Sequence, residues 1–217
     1  DQCITNLDTA AEATTLTLQG GALTLVYNGP GASTIGTQVT DVTLLKFSMT
    51  AASNIEIKKH EVTLFGSNDG LTDTTFESLA TEADNDNITD IKIWNEDTNS
   101  VVIGPKDATA FDHANGDCPD SKEGVQESFT DTLDLLAGKT YNFKVTADID
   151  TALVADELIS GSIIMAVLDD YSDDAADVTV MKYSGTNTAV AAADIVPRAD
   201  IRGSNITLTS SALTLSL

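Results

Sequence analysis

The 217-residue chain predicts an all-β protein: an Ig-like β-sandwich of about ten short strands with Greek-key connections and extended terminal strands. Three observations carry this. Tyr141, Phe143, Val145, Ala147 and Ile149 alternate with Asn142, Lys144, Thr146, Asp148 and Asp150, the pattern of a strand with one face on a core. Turn clusters such as Asn28-Gly29-Pro30-Gly31, Ser67-Asn68-Asp69-Gly70 and Ala137-Gly138-Lys139 punctuate the chain. Helical periodicity is weak throughout, and Ala152 to Leu158 would form one short turn.

Taken in order, residues 1–19 read as a polar arm with apolar anchors at Ile4, Leu7, Leu16 and Leu18, and residues 20–217 as the sandwich. The stretch Leu16 to Tyr27 is echoed by Ile206 to Leu217: both contain Thr-Leu, then Ala-Leu-Thr-Leu, around the tiny pairs Gly20-Gly21 and Ser210-Ser211. In each, the apolar phase changes at the tiny pair, which turns the side chains over and marks a bulge or a passage between sheets. Val42 to Thr50 and Ile55 to Phe65 follow as strands, the second changing phase through Lys58-Lys59-His60, with His60 expected at the surface. Ile88 to Trp94 and Val101 to Ile103 pair across Asn95-Glu96-Asp97, Trp94 packing on the sandwich. Residues 66–87 and 104–126 read as long acidic loops. Leu133 and Leu135 precede the alternating strand, whose Tyr141, Phe143, Val145 and Ile149 are expected to face the core while Asn142, Lys144 and Thr146 face away. Ile159 to Leu168 holds only small or apolar residues and predicts a central strand covered on both sides. Val178 to Tyr183 and a weaker strand near Ile195 to Ile201 lead to the closing strand.

Composition narrows the function. Thirty-four acidic residues against 11 basic ones give a formal charge of -23, which repels nucleic acid and anionic membranes and attracts cations. No apolar run approaches the roughly 20 residues that cross a bilayer. The start at Asp1 reads as that of an exported, processed chain, in which Cys3 and Cys118 would form a disulfide. An extracellular or cell-surface location follows.

The chemistry of catalysis is thin. His60 and His113 are the two histidines, and neither stands in a metal-protease, nucleophile-elbow or phosphate-loop pattern, so no enzyme is expected. No cofactor is required, but calcium suits the acidic loops because it takes six to eight oxygen ligands. Asp84 and Asp86, Asp112 and Asp117, and Asp169, Asp170 and Asp173 are the candidate ligands. Asn87 and Asn205 satisfy the glycan acceptor pattern.

The segments Ala22-Leu23-Thr24-Leu25, Leu44-Leu45-Lys46-Phe47-Ser48-Met49-Thr50-Ala51, Ile88-Thr89-Asp90-Ile91-Lys92-Ile93 and Leu136-Ala137-Gly138-Lys139-Thr140, the last running into Val145-Thr146-Ala147-Asp148-Ile149, carry a family resemblance. In that order they resemble the Ig-like β-sandwich repeats of large secreted surface proteins from candidate-phylum bacteria. The chain departs from them in holding one repeat and two cysteines, which points to assembly by strand exchange, as in strand-donating pilus families. The expectation is a subunit of an extracellular filament, a homopolymer built head to tail by β-strand donation. Ile4, Leu7, Leu16 and Leu18 would form the donor strand, or alternatively Ile206, Leu208, Leu213, Leu215 and Leu217. A monomeric adhesin or surface-layer module binding calcium or glycan is the alternative.

Overall fold

A computed structural model describes residues 22–67, 88–108, 125–150 and 160–209. Cys3 and Cys118, the anchors Ile4, Leu7, Leu16 and Leu18, Leu213, Leu215 and Leu217, and Asp84, Asp86, Asn87, Asp112 and Asp117 lie outside those residues. So does the short-turn segment 152–158.

The described chain is essentially all-β, and its one helical element is a single 3-10 turn, Ala192–Asp194. None of its helices is long and apolar enough to cross a membrane. One sheet contains, in spatial order, β13 (Ile195–Val196), β1 (Leu23–Gly29), β3 (Val39–Ala51), β10 (Thr140–Ile149), β6 (Ile88–Asn95) and β7 (Ser100–Lys106). A second runs β2 (Ser33–Gly36), β15 (Ile206–Thr209), β11 (Ile163–Leu168), β5 (His60–Ser67) and β8 (Val125–Phe129), with β14 (Ile201–Arg202) also on β11. A small third sheet joins β12 (Met181–Tyr183), β4 (Ile55–Ile57) and β9 (Leu133–Leu135). Leu23, Phe47 and Phe143 of the first sheet, Val62, Ile164 and Leu208 of the second, and Ile55, Leu135 and Met181 of the third share one buried cluster. The arrangement is sandwich-like.

The phase change at Lys58-Lys59 is a passage between sheets: β4 pairs with β9 and β12, and two residues later β5 pairs with β8 and β11. Burial on both faces of β11 matches its sequence, with Ile164, Ala166 and Leu168 in the main core and Met165 and Val167 packed with Phe65. The alternation of β10 puts Phe143, Val145, Ala147 and Ile149 in the core, Phe143 stacked on Phe47 with centroids 5.4 Å apart. Thr146 departs from the expectation. The register slips between Val145 and Thr146, so Thr146 is buried beside its apolar neighbours. Where β14 leads toward β15, Gly203 donates to Ala166 O at 2.8 Å. A Cβ there would lie 2.8 Å from Leu44 O and 2.9 Å from Ala166 O, so only glycine lets this backbone sit against both sheets.

Two further expectations are corrected. His60 is fully buried, because it opens β5 opposite Phe129 and its ring turns inward to Tyr171. Ile206 and Leu208 are buried in their own sheet, β15 pairing with β11 and β2, so this half of the alternative donor strand is used by its own fold.

Candidate cation site

Aspartate is a poor strand residue, yet three adjacent strands each carry one where the ladder slips. Between β3 and β10 the pairing jumps from Val42–Ala147 to Val39–Ile149, leaving Asp41 and Asp148 out of step. Between β10 and β6 it jumps from Thr146–Lys92 to Asp148–Thr89, leaving Asp90 unpaired. Asp41 and Asp90 take left-handed backbone conformations, φ 53° and 54°, which aspartate tolerates better than most residues. The irregularities re-aim the side chains. As a result, ligand oxygens of Asp41, Asp90 and Asp148 lie within 4.8 Å of one another, and this is the set of three such groups that converges among the described residues.

The backbone supports the cluster. The Asp41 N–H donates to Asp148 Oδ1 at 2.7 Å, and the Asp90 N–H donates to Asp107 Oδ1 at 3.0 Å. Lys92 provides the positive charge: its Nζ lies 2.8 Å from Asp41 Oδ1 and 2.5 Å from Asp90 Oδ2. Burial works against that ammonium, but Asp41 and Asp90 outweigh it and raise its pKa above the ordinary lysine value. Trp94 lies alongside, with Lys92 Nζ 5.4 Å and Lys144 Nζ 5.1 Å from its ring centroid. Its Nε1 donates to Thr146 Oγ1 at 2.9 Å, giving the buried threonine its polar partner. Trp94 is thus packed on the sheet, as the sequence suggested, with its ring flanked by two ammonium groups.

A donor set made only of carboxylate oxygens is hard, and suits calcium or magnesium rather than the softer transition metals. Formally, three carboxylates against one ammonium leave two negative charges over. Sequence reasoning passed over this site, although a signal was present: Thr40-Asp41-Val42, Thr89-Asp90-Ile91 and Ala147-Asp148-Ile149 each interrupt a strand with a small residue followed by aspartate.

The acidic turn after β11 is organised differently. Asp170 accepts from the Ser172 N–H at 2.7 Å and from Ser172 Oγ at 2.8 Å, while its own N–H donates to Asp200 Oδ1. Asp169 accepts from Thr63 Oγ1 at 2.9 Å and from Gln126 Nε2. Burial, then the charges of Asp170 and Asp174, raise the Asp173 pKa. Beneath them His60 Nδ1 and the Tyr171 hydroxyl are 2.8 Å apart. Burial lowers the His60 pKa to about 4 and drives that of Tyr171 well above the usual tyrosine range. Asn205 is half-buried, and its carbonyl accepts the Ser33 N–H at 3.2 Å.

No family model and no curated protein matches the chain. Among solved structures it is similar to AvmM, which catalyzes macrocyclization in alchivemycin A biosynthesis; identity is 8%, coverage 90% of this chain and 93% of that one, and the TM-score 0.39. The expectations of a strand-donating filament subunit and of no enzyme gain no support from this finding and are not carried further. At that TM-score the likeness brings no activity, substrate or residue role to this chain.

Proposed function

We propose that this chain is an extracellular β-domain that binds a divalent cation, calcium above all, at Asp41, Asp90 and Asp148. The observation that carries the reading is the convergence of three carboxylates from three adjacent strands, each at a slip in the ladder. Irregularities in two neighbouring ladders that end in one carboxylate cluster are costly to keep for solubility alone, since any exposed position would serve that purpose. Lys92 holds the site when no metal is bound, and a divalent ion takes over its role by drawing the carboxylates inward as the ammonium swings away. The resemblance of the strand motifs to repeats of secreted surface proteins supports the extracellular placement, and the formal charge of -23 favours cation binding. Outside cells calcium is abundant enough for sites with Kd of about 0.1–1 mM.

Thermal unfolding in calcium against chelator tests this. The melting temperature should rise with calcium in the wild type, because a ligand that binds only the folded state stabilises it. It should not move in the Asp90→Asn/Asp148→Asn double variant. An equal rise in both proteins, or none in either, contradicts the assignment.

A further inference from the structure

The face of the second sheet turned away from the main core sets a hydroxyl beside a carboxamide. Thr63 of β5 stands directly opposite Gln126 of β8, with Val167 of β11 on its other side. Side chains opposite each other on neighbouring strands have Cβ atoms about 4.5–5.5 Å apart, so the two can meet by side-chain rotation alone. Asp169, two residues beyond Val167, draws them together. Its Oδ1 accepts from Thr63 Oγ1 at 2.9 Å and its Oδ2 accepts from Gln126 Nε2. The Asp169 N–H donates to Glu61 O at 3.0 Å, which extends the β5–β11 pairing past β11 and fixes the carboxylate over the pair.

Two features set this apart from an ordinary polar ladder. A carboxylate only accepts hydrogen bonds, so the Gln126 nitrogen faces it and the carbonyl carbon lies one bond behind. The same carboxylate therefore touches a hydroxyl able to attack that carbon and the nitrogen that such an attack would expel. The surroundings are also apolar. Phe65, Met165 and Val167 form a buried cluster on this face, and Thr63 and Gln126 are themselves half-buried beside it. In such a place the fixed hydroxyl, rather than water, is the nucleophile at hand.

We propose that Thr63 and Gln126 join in an intramolecular ester, with Asp169 carrying the proton. Thr63 Oγ1 attacks the side-chain carbonyl carbon of Gln126 as its proton passes to Asp169. The carbon–nitrogen bond then breaks, Asp169 hands the proton to the departing nitrogen, and ammonia leaves. One carbon–oxygen bond forms and one carbon–nitrogen bond is lost, so the step balances without a further reactant. Escape of ammonia into bulk solvent draws it forward. The product is a covalent tie between β5 and the five-residue edge strand β8, which is otherwise held along one side only.

Mass spectrometry of the full chain tests it. The wild type should be lighter than its sequence by one ammonia, about 17 Da, and its proteolytic digest should contain a branched peptide joining Thr63 to Gln126. Thr63→Val keeps the shape of the side chain without the hydroxyl and should show the full sequence mass. Asp169→Asn, which keeps the side-chain size and removes the base, should do the same. A wild type at full sequence mass overturns the proposal. So does a loss of ammonia that persists in Thr63→Val, because Asn-Gly sequences such as Asn28-Gly29 also shed ammonia by imide closure. A bond that still forms in Asp169→Asn contradicts the role given to Asp169. The wild-type digest decides by itself should either variant fail to fold.

Discussion

Around β3, β10 and β6 the aspartates gather about an ammonium, whereas at the end of β11 Asp169 gathers neutral donors and like charges. In the first place Lys92 is drawn in by Asp41 and Asp90 and held charged. In the second, Thr63 and Gln126 satisfy the oxygens of Asp169 without neutralising it, and Glu61 and Asp200 press on it. Neutral donors favour an ionised carboxylate, and what differs between the two places is the neighbouring charge, an ammonium at the first and two carboxylates at the second. The first centre is arranged for a metal to take the place of lysine, whereas at the second burial, Glu61 and Asp200 raise the Asp169 pKa. Both rest on the same core, so variants can separate what belongs to that core from what belongs to each centre.

The largest effect should come from the shared support. Phe143→Ala removes a fully buried ring stacked on Phe47 and should cost about 3–5 kcal/mol in denaturant unfolding. Lys144→Ala, one residue along on the half-exposed face, should cost within about 0.5 kcal/mol. Similar losses from the two would show that the register of β10 is wrong.

Tyr171→Phe comes next. It strips the buried His60 of its hydroxyl partner and should cost about 1–3 kcal/mol. The same histidine sets an acid limb of opposite sign to that of Asp169. Its folded pKa is lowered from 6.5 to about 4, so the stability it contributes is present above 6.5 and is lost as pH falls through 4. In the Asp169→Asn background the opposing contribution of Asp169, whose raised pKa adds stability that is lost as pH rises, is gone, and stability should decline more steeply from pH 6.5 toward 4 than in the wild type. In the wild type the two slopes oppose each other, and the profile should be flatter. A flat profile in Asp169→Asn would remove His60 from the account.

Lys92→Met should cost less stability than loss of the Phe143 ring, and it bears most on function. Without its ammonium the cluster keeps its carboxylates and loses its internal cation, so Tm should drop by about 2–4 °C in chelator, a change on the order of 1 kcal/mol. Calcium should restore that loss and bind the variant more tightly than the wild type, because it no longer competes with lysine. Unchanged calcium affinity would mean that Lys92 and the metal do not share the site.

Much of the fold could be read from the chain, because strand identity is local. Phe143 to Ile149, the doubly covered Ile163–Leu168 and the break at Lys58-Lys59 all announce themselves through the spacing of apolar residues. β2 and β8 do not stand out from the sequence, being short and weakly alternating, one just after the turn at Asn28-Gly29-Pro30-Gly31 and the other at the end of the loop 104–126. The bulges were hidden for another reason: a slip belongs to two strands at once, and neither Asp41 nor Asp148 reveals from its own neighbours that the other lies across from it. His60 was misplaced because the lysine and glutamate beside it suggest water, while the inward side of β5 is settled by Phe129 and Tyr171, which are distant in sequence. Ile206 and Leu208 show the same limit, since an apolar alternating strand looks alike whether it completes its own sheet or another.

The account stands or falls on metal at the bulge cluster, and the chain's single tryptophan, Trp94, is placed to report on it, because the Lys92 ammonium that contacts Asp41 and Asp90 is 5.4 Å from its ring. Terbium, which takes calcium sites and luminesces when a nearby indole is excited, is the probe. Excitation of Trp94 in the wild type should give terbium emission that calcium displaces and that the Asp90→Asn/Asp148→Asn variant loses. Emission that persists undiminished in the double variant, or that never develops in the wild type, would contradict the cation site.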